Sequence, residues 1–258
     1  MNNSPKVSII TVVYNGVAHL EQTIQSVVNQ TYDNVEYIVI DGDSTDGTVE
    51  LLEKYDSNID YWVSEPDNGI YNAMNKGIDK ASGDIVGLIN ADDWYEVNAV
   101  ENVVATFQNS YADVVHGSMY ILKEDGSGFV KGVQLDLTNL SKGMLLNHPT
   151  VFSKRSLYDA YGDFNTAYKI VADWELMVRW RLKGMNFVGI DNTLANFRMG
   201  GVSSAHLKKS FSEKHMVRHE LGLVNTLDWY YVYDKVKSLF PGKLLLNISL
   251  LRQKCLGS

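Results

Sequence analysis

Along the first hundred residues, apolar and polar positions fall in blocks whose period changes in a regular way. Val7 to Val13 (VSIITVV) is a β-branched run with no polar face, the pattern of a strand covered on both sides in a parallel sheet. It stops at Tyr14-Asn15-Gly16, a turn signal. Leu20, Ile24, Val27 and Val28 then recur at helical spacing. Val35 to Ile40 (VEYIVI) predicts a second strand, Thr48 to Tyr55 a helix and Ile59 to Val63 a third strand. A helix over Ile70 to Lys80 leads to a fourth strand, Asp84 to Ile89 (DIVGLI), which ends at Asn90-Ala91-Asp92-Asp93. Strand and helix thus alternate, with polar clusters where the strands end. This is the rhythm of an α/β fold with an open sheet, whose ligand lies in the crevice beyond the carboxyl ends of the strands.

Past Val100 the pattern loosens. It predicts a helix near Ala99 to Gln108, a strand at Asp113 to His116 and a hairpin from Ser118 to Val133 around Asp125-Gly126-Ser127-Gly128. Leu157 to Tyr161 and Trp174 to Lys183 read as helices, and Asn186 to Ile190 as extended. The last fifty residues show no clear strand and read as helices, with Pro241-Gly242 between two of them.

Composition narrows the class. With 258 residues, 45% hydrophobic and 21% charged, the chain has the proportions of a soluble globular domain with an appendage, which excludes collagen, disordered tails and small disulfide scaffolds. The single cysteine, Cys255, cannot form an internal disulfide and fits a reducing compartment. No apolar run reaches the roughly 18 to 20 residues that span a bilayer, and MNNSPK lacks the apolar core of a secretory signal, so a cytoplasmic protein is expected. The net charge of −8 argues against nucleic acid as a main partner. That sum hides an asymmetry: residues 1–204 carry 14 Lys+Arg against 27 Asp+Glu, whereas residues 205–258 carry 9 against 4.

Three constellations carry chemistry. Asp41-Gly42-Asp43-Ser44-Thr45-Asp46-Gly47 follows a buried strand; its glycines allow tight turns, and its Asp and Ser offer acceptors to a base or to hydroxyls. A plain Asx turn capping the next helix through Asp46 is the structural alternative. No G-x-G-x-x-G follows a strand and no P-loop is present, which excludes a dinucleotide-dependent dehydrogenase. The phosphate loop of a sugar nucleotidyltransferase is missing too. At Asn90-Ala91-Asp92-Asp93, adjacent carboxylates on a strand end call for a positive neighbour, and a hard divalent cation that bridges phosphate oxygens answers it; the alternative is a solvated helix cap. Asp173, before the helical stripe of Trp174, Met177 and Val178, is a carboxylate suited to taking a proton, with Glu175 its rival and an N-cap its structural reading.

Taken together, VSIITVVYNG, IDGDSTDGT, EPDNGIYNAMNKGI, GDIVGLINADD and VADWELMVRW resemble glycosyltransferase family 2, over about residues 6 to 203. The resemblance implies a GT-A fold: a Rossmann-like, open, mostly parallel sheet flanked by helices. It divides the chain into a catalytic domain, residues 1–204, and a helical extension, residues 205–258. Within the first, a nucleotide-binding half runs to about residue 97 and an acceptor half follows.

The implied reaction is inverting transfer of a sugar from a nucleotide-diphosphate sugar, most often a UDP-sugar, with Mn²⁺ or Mg²⁺, to a hydroxyl of a glycan or lipid-linked acceptor. Bacterial surface polysaccharide or lipopolysaccharide synthesis is the implied setting. By position, Thr11, Tyr14 and Asn15 would line the nucleotide pocket, Asp41 would face the base, with Asp43 its competitor, and Asp67 would help at the nucleoside. Asn90 and Ala91 would sit at the ribose and diphosphate, Asp92 and Asp93 at the metal, and Asp173 would be the base. His148 would face the phosphates or acceptor, and Arg198, before Gly200-Gly201, would approach the diphosphate.

Two departures stand out: Asp41-Gly42-Asp43 replaces paired aspartates, and Asn90 replaces the first acid of Asp-x-Asp. The second leaves a non-catalytic nucleotide or carbohydrate binder with a decayed metal site as the alternative from another class. Trp94, Trp174 and Trp180 read as core, with Trp174 also placed for a sugar platform. The tail interleaves Lys208, Lys209, Lys214 and Arg218 with aromatics and leucines further on, which suits peripheral contact with a membrane surface, or packing against the catalytic body or a second subunit.

Overall fold

The computed structural model describes residues 4–200 and 207–223. The chain divides into two compact units, Met1–Gly201 and Val202–Ser258. In the first, β1 (Val7–Val13), α1 (Val17–Val28), β2 (Val35–Asp41), α2 (Thr48–Lys54), β3 (Tyr61–Ser64), α3 (Ile70–Lys80) and β4 (Ile85–Asn90) follow in the order the periodicity predicts. They continue with β5 (Trp94–Tyr95), α4 (Ala99–Asn109), β6 (Val114–Leu122), β7 (Gly128–Lys131), β8 (Phe152–Lys154), α5 (Ser156–Tyr161), α6 (Ala172–Leu182) and β9 (Phe187–Arg198). The second unit is described through α7 (Leu207–Glu220). The rest of the basic tail, with Pro241-Gly242 and Cys255, lies outside the described residues. No helix among the described residues is long and apolar enough to cross a membrane.

Among the described residues nine strands form one sheet, ordered β3-β2-β1-β4-β8-β6-β9-β5, with β7 paired to β6. Strands β3, β2, β1 and β4 are mutually parallel, so all four end at the same edge. Every residue of β1 is buried, because helices cover both faces. Val7, Ile9 and Val13 join a core with Leu20 and Ile24 of α1 and Val100 and Val103 of α4. Ile10, of the other parity, meets α3 at Gly77. The alternating pleat therefore feeds two helical layers from one apolar run.

The fold departs from the sequence reading where elements are short or change partner. β8 has three residues, paired antiparallel to both β4 and β6, and β5 has two. Segments that short carry no readable period. β6 and β9 run on past His116 and Ile190 because they pair with each other to Leu122 and Arg198, across a register shift at Gly117 to Met119. The β6–β7 hairpin turns where expected, with Asp125 accepting from the Ser127 N–H and hydroxyl.

Candidate active site

The parallel edge gathers three of the loops. β1 and β2 end in register, Val13 beside Asp41, and Asn90 lies beside Val12. Their turns are laced together: the Asn15 N–H donates to Ser44 Oγ (2.7 Å), and the Thr45 N–H donates to Asn15 Oδ1 (2.9 Å). Asn15 and Asp43 hold left-handed backbone, φ 50° and 69°, which their short polar side chains tolerate better than most. Asp46 serves the fold. Its carboxylate accepts from the Val17 N–H (3.1 Å) and the Thr48 N–H (3.1 Å), capping α1 and α2 together, so the structural reading of that acid holds.

Asp41 is tied down within the β2 turn. It is fully buried, and its oxygens accept from the Ser44 N–H (2.9 Å), Ser44 Oγ (2.5 Å) and Ser64 Oγ (2.6 Å), so it fixes the loop rather than offering a free carboxylate. Thr11, too, is buried, in mid-strand, where Tyr37 donates to its hydroxyl (3.1 Å). Tyr14, 68% exposed, Asn15 and Asp43 remain at the surface of the loop cluster. Across from them, a Cβ added at Gly42 would lie 2.6 Å from Asp67 Oδ2 and 3.4 Å from the Tyr14 ring. The backbone of Gly42 is thus packed closely against the Asp67 carboxylate and the Tyr14 ring, leaving no room for a side chain there. Asp67 is held by the Gly69 N–H (2.6 Å) in a turn that needs φ 107° at Gly69 before α3 begins.

At the end of β4, Ala91 is buried and Asp92 half-buried. The Thr23 hydroxyl donates to the Ala91 and Asp93 carbonyls (2.9 and 2.6 Å), fixing the turn. Asp93 points inward, so the expected pair of metal carboxylates is split. Its Oδ1 accepts from the Arg198 N–H (3.1 Å), and it is fully buried. Burial above all, then the charge of Asp92, pushes its carboxyl up to about 8 despite Arg198, so it is mostly protonated at neutral pH. Asn90 Oδ1 is buried without a protein partner. Arg198 comes to this edge on β9, its guanidinium 5.2 Å over the Trp94 ring and Nη2 donating to Gln22 Oε1 (3.0 Å). Half-buried Trp94 is therefore a seat for Arg198 rather than core.

Asp173 is the second residue of α6, inside the helix and not its cap, where the helix dipole favours a negative charge. Tyr71, in the first turn of α3, donates to Asp173 Oδ1 (3.1 Å) and to the Ile170 carbonyl (2.9 Å). Since α3 follows directly on the Asp67 turn, this contact brings Asp173 to the same edge as Asp67, although the two lie far apart in sequence. His148 stands edge-on to Phe164, centroids 6.3 Å apart. Burial lowers its pKa below 6.5 and the nearby Asp173 charge partly offsets that, so it is neutral at pH 7. Glu175 is not available as a rival base: it is buried in a two-point ion pair with Arg179 (2.8 and 2.9 Å). Trp174 is no sugar platform, being buried with its indole N–H on the Leu140 carbonyl (2.7 Å).

Tyr71 and Gln22 were not singled out by the sequence. Tyr71 sat in the apolar stripe of α3; its position just after Asn68-Gly69 was the available signal.

The family profile described as glycosyl transferase family 2 matches residues 8–168, more than half of the chain. This protein belongs to glycosyltransferase family 2. The glycosyltransferase is 27% identical over 227 residues, 85% of this chain and 88% of the relative, to the PGL/p-HBAD biosynthesis glycosyltransferase of Mycobacterium bovis. Its fold is similar to that of S. aureus TarS 1–349 in complex with UDP-GlcNAc, with TM-score 0.70, 18% identity, and 89% and 69% of the two chains covered. The chain spans 41% of the longer TarS chain. The mannosyltransferase PcManGT of Pyrobaculum calidifontis, in complex with GDP-Man and Mn²⁺, gives TM-score 0.68 at 17% identity, covering 89% and 68%. At such identities the likeness is one of fold, and the fold is GT-A.

Proposed function

We propose that this glycosyltransferase moves a sugar, with inversion, from a UDP-sugar to a hydroxyl of a glycan or lipid-linked acceptor, with Asp173 as the proton acceptor. The observation that supports this reading is the Tyr71–Asp173 contact, which ties a half-exposed carboxylate to the first turn of α3, just after the Asp67 turn. Tyr14, Gly42 and Asp67 hold the nucleoside, and Asn90 Oδ1 awaits a hydroxyl donor from the ligand. Arg198 turns toward the diphosphate. The acceptor oxygen bonds the anomeric carbon from the face opposite the leaving group; the carbon–oxygen bond to the diphosphate breaks with its electron pair, and the hydroxyl proton passes to Asp173.

Among the described residues no cluster of three or more ligating side chains exists. One free carboxylate, Asp92, suits a divalent cation of the Mg²⁺ or Mn²⁺ kind, which takes one or two carboxylates and completes its shell with substrate phosphate and water. Asp92 would hold it, and when bound it supplies charge to the departing diphosphate. The acidic catalytic unit works in the cytoplasm, with residues 205–258 resting on the inner face of the membrane, in surface polysaccharide synthesis.

Incubation with a panel of UDP-sugars and GDP-mannose in Mn²⁺ tests the reading through release of nucleoside diphosphate. Heat on titration without release would make the protein a binder. Asp92→Ala is expected to weaken UDP affinity at least about tenfold in Mn²⁺ and little in chelator, measured calorimetrically. Equal affinity of both proteins in Mn²⁺ would move the cation elsewhere. Gly42→Ala, which drives a methyl against Asp67, is expected to weaken UDP about tenfold with or without metal. Undiminished binding would take Gly42 and Asp67 out of that role.

A further inference from the structure

We propose that Tyr71 is the positioning residue that holds Asp173 oriented for proton transfer and answers its change of charge, an inference that rests on Asp173 being the base. The phenol is placed independently of α6. Its ring stacks on Phe164 with centroids 5.5 Å apart and planes at 23°. Phe164 in turn is fixed at both backbone ends by Asn75 of α3: Nδ2 donates to the Phe164 carbonyl (2.9 Å), and the Phe164 N–H donates to Oδ1 (3.0 Å). Tyr71 and Asn75 are one helical turn apart, so α3 carries both the ring and the clamp that steadies it. A second tie, Lys169 Nζ donating to the Asn68 carbonyl (3.0 Å), joins the same two segments. The donor-side turn and the base-bearing segment therefore meet at two points.

Among the described residues the hydroxyl has two acceptors at similar range for its one proton, the Ile170 carbonyl at 2.9 Å and Asp173 Oδ1 at 3.1 Å. While Asp173 is an anion, the proton points to it, since a hydrogen bond to a charged group is the stronger one. Once Asp173 has taken the acceptor's proton, the hydroxyl turns to Ile170 and its donor is still satisfied. Tyr71 thus offers Asp173 a donor while it is charged and needs no new partner once it is neutral. Among the described residues, burial lowers the pKa of His148, Glu175 on the same helix is paired with Arg179, and Lys169 Nζ donates to the Asn68 carbonyl.

The test is Tyr71→Phe, which keeps the ring and its stacking. Its kcat is expected to fall about tenfold with donor KM unchanged, the cost of one charge-assisted hydrogen bond. In an Asp173→Asn background the same change is expected to add no further loss. Phe164→Leu, which keeps the hydroxyl and frees the ring, is expected to lower kcat by less, again with donor KM unchanged. Wild-type kcat in Tyr71→Phe, alongside an inactive Asp173→Asn, would overturn the inference and leave the base in place. A fall in donor affinity, or a further loss on adding Tyr71→Phe to Asp173→Asn, would overturn it also, making Tyr71 a strut. Activity surviving in Asp173→Asn would instead fell the assignment of the base.

Discussion

Asp173→Asn is expected to lower kcat by about a thousandfold, within the range that removal of a positioned general base produces. Asparagine has the shape of aspartate and can still accept from Tyr71 through its amide oxygen, so the first turn of α6 keeps its fold. It has no affinity for the hydroxyl proton, and the acceptor must then attack as a neutral alcohol. Donor affinity is expected to stay within about twofold of wild type, because Tyr14, Gly42 and Asp67, the residues proposed to hold the nucleoside, are untouched. Initial rates of diphosphate release and calorimetric titration with UDP check the two halves separately. A kcat within tenfold of wild type would take the proton from Asp173 and give it to another group.

Arg179→Met is expected to be the most destabilising single change near the site. The Arg179 side chain is 18% exposed and its partner Glu175 7%. Beyond that pair, its guanidinium donates to the carbonyls of Tyr161, Gly162 and Asp163, where α5 has ended and the backbone needs partners. Removing it leaves a buried carboxylate and three carbonyls without their donor. Loss of one member of a buried pair costs about 3–5 kcal/mol, and for a chain of this size that lowers Tm by roughly 10 °C. The double variant Glu175→Met/Arg179→Met is expected to recover part of the loss, since no uncompensated charge remains. Thermal unfolding followed by circular dichroism measures both; equal Tm for wild type and Arg179→Met would show the pair to be solvated. Because α6 carries Asp173, activity at 37 °C is expected to fall with stability.

The alternation of β1 to β4 with α1 to α3 was legible because each strand is a dense apolar run and each helix has its own stripe, so local pattern and final packing agree. β5 and β8 were not, since two or three residues have no period and exist only through neighbours already in place. The candidate site divides in the same way. Asp67 and Asp92 follow the ends of β3 and β4, and Asp173 lies in the first turn of α6, still partly exposed. Asp41 and Asp93 carry the same letters in equally suggestive motifs, yet both are buried. Ser64, 23 residues on, claims Asp41, and the Arg198 backbone, 105 residues on, claims Asp93. No local window contains those partners.

The sequence by itself determined the family, the order of the main strands and helices, and the edge at which acidic side chains gather, because hydrophobic period and turn chemistry act over a few residues. Only the tertiary structure decided which of those carboxylates are free to act. That depends on desolvation and on hydrogen-bond donors delivered from distant segments: Tyr71 to Asp173, Arg198 to Asp93, Ser64 to Asp41.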